Sequence, residues 1–254
     1  MQETLVKYLA GLLDADGCLC FHFSHSTAGH YNISLVLTLV ASKSVDREGS
    51  FLRSLPELTG LGRHHDHGDH TTWVIGKRNE LEQIVPRLCK HMVIKAKHWD
   101  WLLRTRRHFR GAKLSFEDVE SLKKASKESR KDTGPLSVKK HATMAWTCGF
   151  LEGDGCFSLK KPKGKGRYRE LNVRSYSDDN DPQAAELLMK SFGGHLYRRE
   201  GMVFWRRNLG PRDKSFAIKF LKKMIRHSHL KKWKMERMLE HLYNYKSPRA
   251  ACND

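Results

Sequence analysis

The chain reads as an α+β protein built from two αββαββα halves related by a pseudo-two-fold axis. Three observations lead there. A short motif, G-x-x-[DE]-x-D-G-C, occurs twice, with 138 residues between Asp16 and Asp154. Each copy opens the same succession of alternating and helical segments, the signature of an internal duplication. No run of about 18 apolar residues interrupts that order, which excludes a membrane span.

The elements of the first half follow from periodicity. Thr4–Asp14 carries Leu5, Leu9, Leu12 and Leu13 on one stripe and reads as a helix, with Ala10 and Gly11 leaving a shallow strip beside it. Cys18–Ser24 alternates, with Leu19, Phe21 and Phe23 on one side. Asn32–Val40 does the same with Ile33, Leu35, Leu37 and Leu39, so both are half-buried strands. Asp46–Leu58 reads as a helix, Gly62–His65 and Thr71–Ile75 as a hairpin, and Asn79–His91 as a helix. A last helix starts near Lys97.

The second half repeats the order. Ala145, Cys148 and Gly149 stand where Ala10 and Gly11 stand in the first helix, and small residues let two helix backbones approach closely. Cys156–Lys160 and Arg169–Tyr176 read as strands. Asp181–Phe192 reads as a helix with Asp181 as N-cap and Pro182 in the first turn. Gly194–Arg198 and Val203–Arg207 form a hairpin, and Asp213–Arg226 and Lys231–Tyr245 are basic helices. Between the halves, a Lys- and Ser-rich stretch holds Ser115-Phe-Glu-Asp118, which resembles a capping box opening a polar helix, and the breaker pair Gly134-Pro135. The expected division is 1–104 for the first half, 105–140 for a linker carrying one helix, and 141–254 for the second half.

The composition narrows the partner. Of 254 residues, 47 are Lys or Arg and 28 Asp or Glu, a formal charge of +19. Such an excess suits a polyanion, because neutralising phosphates releases condensed counterions, although a ribosomal-type basic protein would share it. The six cysteines form no C-x-x-C pair, so a zinc ribbon is disfavoured, and they read as reduced thiols of an intracellular protein. The start of the chain has an apolar run too short for a signal peptide and interrupted by acids.

The repeated motif points to phosphate chemistry. Two helices packed side by side on their small residues bring their C-terminal ends together, and Asp16 and Asp154 sit at those ends. Paired carboxylates repel unless cations lie between them, and a few hard oxygens with room for phosphate oxygens suit Mg²⁺. An Asp-Gly pair also serves as a plain turn, and one copy would be read that way; two copies with both acids present favour the metal role.

Leu9–Gly17, LAGLLDADG, resembles the signature of the LAGLIDADG homing endonucleases, differing only at Leu13. Thr147–Gly155, TCGFLEGDG, is a looser copy. The resemblance covers nearly the whole chain. It implies a saddle of two curved antiparallel sheets and a monomeric, intron-encoded, site-specific nuclease that cuts both strands of a long asymmetric duplex to leave short 3′ overhangs. It implies Asp16 and Asp154 as ligands of two or three Mg²⁺ ions, with Mn²⁺ or Ca²⁺ able to substitute for binding, and the carbonyls of Ala15 and Gly153 as helpers. It further implies a basic residue at the start of each half's last helix. Aligning Trp99 with Trp233 gives Lys97 and Lys231, with Lys232 as the neighbouring alternative. The family's further polar position falls near Ser42-Lys43 and Ser177-Asp178, and no side chain is assigned to it.

Strand alternation assigns a polar sheet face suited to a major groove. In the first half it holds Asn32, Ser34, Thr38, Arg63, His65 and Thr72. In the second it holds Lys160, Asn172, Arg174, Tyr176, Tyr197, Arg199 and Arg206. The histidines of Gly62–His70 lack a distinctive ligand spacing and read as a hairpin facing DNA or water. Lys161–Arg169 resembles a phosphate-gripping turn but lacks the P-loop pattern. The main rival is a maturase of the same family that binds its host intron RNA. A transcription regulator and an intein fit less well, for want of an added helix-turn-helix domain or of splicing segments. The expected setting is intracellular, with DNA, in an organelle or a prokaryote, and with no membrane partner.

Overall fold

A computed structural model of the chain describes residues 1–47, 50–137, 141–160, 170–178 and 182–244. Each half opens on one helix, α1 (Glu3–Asp16) or α6 (Met144–Gly153). These two are apolar nearly all round, and a helix of that kind has to be covered on every side. Residues 8–14 of α1 and 145–152 of α6 are all buried. They cross at their glycines. A Cβ on Gly11 would overlap the Trp146 carbonyl oxygen, and one on Gly149 would overlap the Tyr8 carbonyl oxygen. The shallow strip read from the sequence is therefore the crossing point.

The first half continues with β1 (Cys18–His25), β2 (Tyr31–Ser42), α2 (Ser50–Thr59), β3 (Arg63–Asp66), β4 (His70–Ile75), α3 (Arg78–Cys89) and α4 (Ala96–His108). After α5 (Phe116–Ser129) and α6, the second half continues with β5 (Gly155–Lys160), β6 (Glu170–Asp178), α7 (Gln183–Phe192), β7 (His195–Arg199), β8 (Met202–Leu209), α8 (Lys214–Ile225) and α9 (Lys232–Asn244). The strands form two four-stranded antiparallel sheets of the same order, β1-β2-β4-β3 and β5-β6-β8-β7. Equivalent pairs repeat in register: Cys18 faces Thr38 as Cys156 faces Arg174.

One core runs through both halves, from Leu35, Leu37 and Trp73 across α1 and α6 to Val173 and Trp205. A small satellite core of Ile33, Leu114, Val119 and Leu122 fastens α5 to the outer end of the first sheet, where Tyr31 and Leu114 also exchange backbone hydrogen bonds. The stretch expected to be a linker is thus a docked element over α5. The capping box is present, with Ser115 Oγ accepting from the Asp118 amide and Asp118 accepting from the Ser115 amide.

Two element expectations are corrected. The helix expected from Asp46 begins at Ser50, because Asp46 caps it from outside by accepting from the Phe51 and Leu52 amides at 3.0 Å each. Pro182 stands before α7 rather than in its first turn, and Asp181 lies outside the described residues. No helix among the described residues is long and apolar enough to cross a membrane.

Candidate active site and DNA-facing surface

The first acid of each motif builds the frame. Asp14, 2 % exposed, accepts from the backbone amides of Val93, Ile94 and Lys95, which lead into α4. Glu152, also 2 % exposed, accepts from the amides of His229, Leu230 and Lys231, which lead into α9, and from the Ser228 hydroxyl. Carboxylates at helix N-termini satisfy orphan amides and complement the helix dipole. Each acid also reaches across the pseudo-dyad. Trp146 Nε1 donates to Asp14 at 2.9 Å, and Tyr8 Oη donates to Glu152 at 2.5 Å. Tyr8 and Trp146 are 138 residues apart, as Asp16 and Asp154 are, so each half's central helix is tied to the other half's motif by an equivalent residue.

That frame sets Asp16 and Asp154 at the ends of the crossed helices. The Asp16 carboxylate lies over Gly153, where a Cβ would sit 2.8 Å from its Oδ2. Burial pushes the Asp154 carboxyl up, and the charge of Asp16 adds to it, to about 6 against the opposing pull of Lys95 and Lys231. Asp16 is raised as well, by burial, with the same two lysines opposing. Two carboxylates that resist joint ionisation form a seat for a cation. Among the described residues no three His, Cys, Asp or Glu side chains converge as a complete metal site. Any ion here would therefore draw the rest of its shell from carbonyls, water or a bound anion.

The basic partners are Lys95 and Lys231. Lys95 Nζ donates to the carbonyls of Leu13, Ala15 and Gly17 at 3.0, 3.0 and 2.9 Å. Lys231 Nζ donates to those of Leu151, Gly153 and Gly155 at 3.4, 3.4 and 3.0 Å. Both ammonium groups sit at a helix C-terminus, and burial lowers both pKa values. The Ala15 and Gly153 carbonyls thus face a lysine. Lys97 does not occupy the place expected for it: it is exposed and pairs with Asp132 at 2.9 Å. The error came from aligning the tryptophans. In the structure Lys95 matches Lys231, and the buried position of Trp99 is filled by Met235, while Trp233 lies under the Arg47 guanidinium. The alternative, Lys232, is exposed and 4.0 Å from Glu236. The capping that marks Lys95 and Lys231 joins residues 81 and 79 positions apart, so it left no local signal in the sequence.

The sheet registers bring most of the expected surface residues onto common faces. His22 is opposite Ser34, Thr38 opposite Val74, and Arg63 and His65 opposite Val74 and Thr72. Asn32, Arg63 and His65 are exposed, and Ser34, Thr38 and Thr72 half-buried. In the second half Arg174 is opposite Arg206, and Tyr197 stacks on Phe204 with ring centres 5.0 Å apart. Arg174, Tyr176, Tyr197 and Arg199 are exposed, Arg206 half-buried. Asn172 departs from expectation: it is fully buried, its amide held by Asn208, so it supports the face rather than projecting from it. The Lys160 side chain and the turn 161–169 lie outside the described residues. His64, His65 and His67 are exposed, and His70 pairs with Asp69.

No family model matches the chain. The chain is 26% identical over 168 residues to the "Probable intron-encoded endonuclease Cox1-I1b" of Schizosaccharomyces pombe, a match covering 61% of this chain and 42% of that relative. The chain therefore spans less than half the length of that relative. Solved structures share its fold. One is the I-SmaMI LAGLIDADG homing endonuclease bound to cleaved DNA, with a TM-score of 0.65 and 18% identity over 97% of this chain and 93% of that one. Another is the LAGLIDADG homing endonuclease I-GzeII in complex with a DNA target, at 0.61 and 15% over 96% and 99%. I-SmaMI bound to uncleaved DNA in the presence of calcium ions gives 0.61 at 15%, over 93% of this chain and 97% of that one. With two matching sheets hung on two crossed motif helices, the chain has the single-chain, two-motif fold of the LAGLIDADG homing endonucleases.

Proposed function

We propose that the chain is a site-specific, metal-dependent DNA endonuclease that hydrolyses one phosphodiester in each strand of a duplex. The observation that carries this reading is the pair Asp16 and Asp154, converging from two halves between two polar sheet faces. DNA complexes of proteins with the same fold, one with calcium, support it. The two faces differ in sequence: the first is rich in Ser, Thr and His, the second in Arg and Tyr. The target is accordingly asymmetric and long, read half by half. The substrate is DNA inside the cell, and cleavage leaves short 3′ overhangs.

The residues divide the work. Asp16 and Asp154 present hard oxygens suited to two or three Mg²⁺ ions, which, when bound, would supply Lewis-acid stabilisation of charge on the phosphate. The Ala15 and Gly153 carbonyls lie on the same turns. Lys95 and Lys231 hold those turns and place positive charge where negative charge grows during hydrolysis. Asp14 and Glu152 orient the lysines by capping the segments that carry them. Asn32, Ser34, Thr38, Arg63, His65 and Thr72, with Arg174, Tyr176, Tyr197, Arg199 and Arg206, contact bases and phosphates. The domain division at 1–104 and 141–254 assigns one strand's chemistry to each half.

The test is selection from a randomised duplex library with Mg²⁺, followed by sequencing of cut ends. A single asymmetric site, with cutting abolished in both Asp16→Asn and Asp154→Asn, is the expected result. Normal cutting by either variant would overturn the assignment of the acids.

A further inference from the structure

The linker enters the first half's centre. A cavity of about 300 Å³ beside the first motif is lined by Gly17, Cys18, Lys95, His98, Arg130 and Thr133 among others. Arg130 follows the last turn of α5, and its position is held on both sides. Before it, Ser129 Oγ meets His98 Nδ1 at 2.8 Å. After it, the Gly134 amide donates to the Ile94 carbonyl at 2.6 Å. Arg130 lines the cavity together with Gly17 and Cys18, so it borders the turn that follows Asp16. No carboxylate lines this cavity, and among the described residues none pairs with Arg130. Lys95 has spent its donors on backbone carbonyls, which leaves the five donors of Arg130 for an incoming anion.

The second half solves the same problem differently. The cavity beside Asp154 is lined by Cys156, Tyr176 and Arg174, the last a residue of the sheet. Arg174 matches Thr38 in the first half by register, so the first sheet lacks that cation. No described helix takes the place of α5 beside the second half.

On the nuclease reading, we propose that Arg130 grips a backbone phosphate of the strand that passes the Asp16 centre, supplying from the linker the cation that Arg174 supplies from the sheet. A guanidinium fits a phosphate with a fork of two hydrogen bonds, which a lysine does not reproduce. The two cleavage centres therefore depend on different elements, and losing Arg130 injures one of them.

The experiment compares the wild type, Arg130→Ala and Arg130→Lys, with Lys131→Ala as a neighbouring charge loss, since Lys131 is exposed and pairs with Glu128. Each strand of the selected duplex is labelled separately and followed in single turnover. Arg130→Ala is expected to slow one strand about tenfold, worth about 1.4 kcal/mol, so that nicked duplex accumulates. Arg130→Lys should recover part of the rate, and Lys131→Ala should cut like the wild type. Equal slowing of both strands, or no slowing, overturns the proposal. Independently of cutting, the slope of log affinity against log salt for a random-sequence duplex in Ca²⁺ should fall by about 0.9 in Arg130→Ala and stay unchanged in Lys131→Ala. A wild-type chain that binds duplex but cuts nothing would sink the nuclease reading while that slope still judges the phosphate contact. An unchanged slope would sink the contact itself.

Discussion

Asp154 shows how a residue's neighbours set its chemistry. Its carboxyl is raised from 3.8 to about 6 by burial and by Asp16. A folded-state pKa above the unfolded one means that the folded protein holds the proton more tightly. Stability from this group is complete below about pH 4 and is lost as pH rises through 6. In metal-free protein Asp154→Asn is therefore expected to be the more stable chain above pH 6, by about 1–2 kcal/mol once solvent screening is allowed for, and to show no gain below pH 4. Urea denaturation at the two pH values, in EDTA, checks it; an equal gain at both would remove the carboxylate pair as its cause. The lysines separate as cleanly. Lys95→Met is expected to cost cutting at least tenfold, because it removes charge beside Asp16, whereas Lys97→Met leaves it near the wild-type rate. The reverse ranking in single-turnover assays would return the role to Lys97.

At the scale of elements, the crossing of α1 and α6 decides whether the centre exists at all. A methyl group on Gly11 has backbone, not a flexible side chain, in its way, so the helices must part. Gly11→Ala is expected to destabilise by about 3 kcal/mol and to lower cutting more than a matched stability loss elsewhere would. Gly68→Ala, at a hairpin tip with nothing within 4 Å, should leave both unchanged. The docking of α5 carries its own pH dependence. Burial, with Arg130 and Lys95 nearby, lowers His98 to about 4, so the folded state resists protonating it. Its contribution is complete above about pH 6.5 and is lost as pH falls toward 4. Amide exchange in α5 should accelerate over that window relative to α1, and His98→Gln should flatten the response.

At the scale of the molecule, one continuous core joins the halves, so they are expected to unfold together in a single transition rather than as two. Overlapping denaturation curves from probes in each half would show it. The chain carries a formal charge of +19, and its two sheets present unlike faces. Duplex affinity should fall steeply with salt, as for roughly six to ten phosphate contacts. A flat response would remove the sheets as the DNA surface.

The repeat, the order of strands and helices, the capping box at Ser115 and the glycine crossing were legible because each is a local pattern of hydrophobicity, size or turn chemistry that shows in the residues themselves. Most surface residues were legible for the same reason, since alternation along a strand assigns faces. Asn172 escaped, because its burial depends on Asn208 from another strand. Lys95 escaped because the tryptophans in the two last helices occupy different positions, one in the core and one under Arg47. The ties of Tyr8 and Trp146 to the opposite motif needed the crossing to be known first.

The sequence by itself determined that there are two matching halves, that each ends its first helix on an aspartate, and that the surface is strongly cationic. Tertiary structure alone decided which lysines stand beside those aspartates, that the linker docks and carries Arg130 to one centre, and that the carboxylates face each other closely enough to shift. The physical reason is range. Periodicity and capping act over a few residues and leave their trace in the chain, whereas Coulomb coupling and close packing depend on distances through space that residues far apart in sequence acquire only on folding.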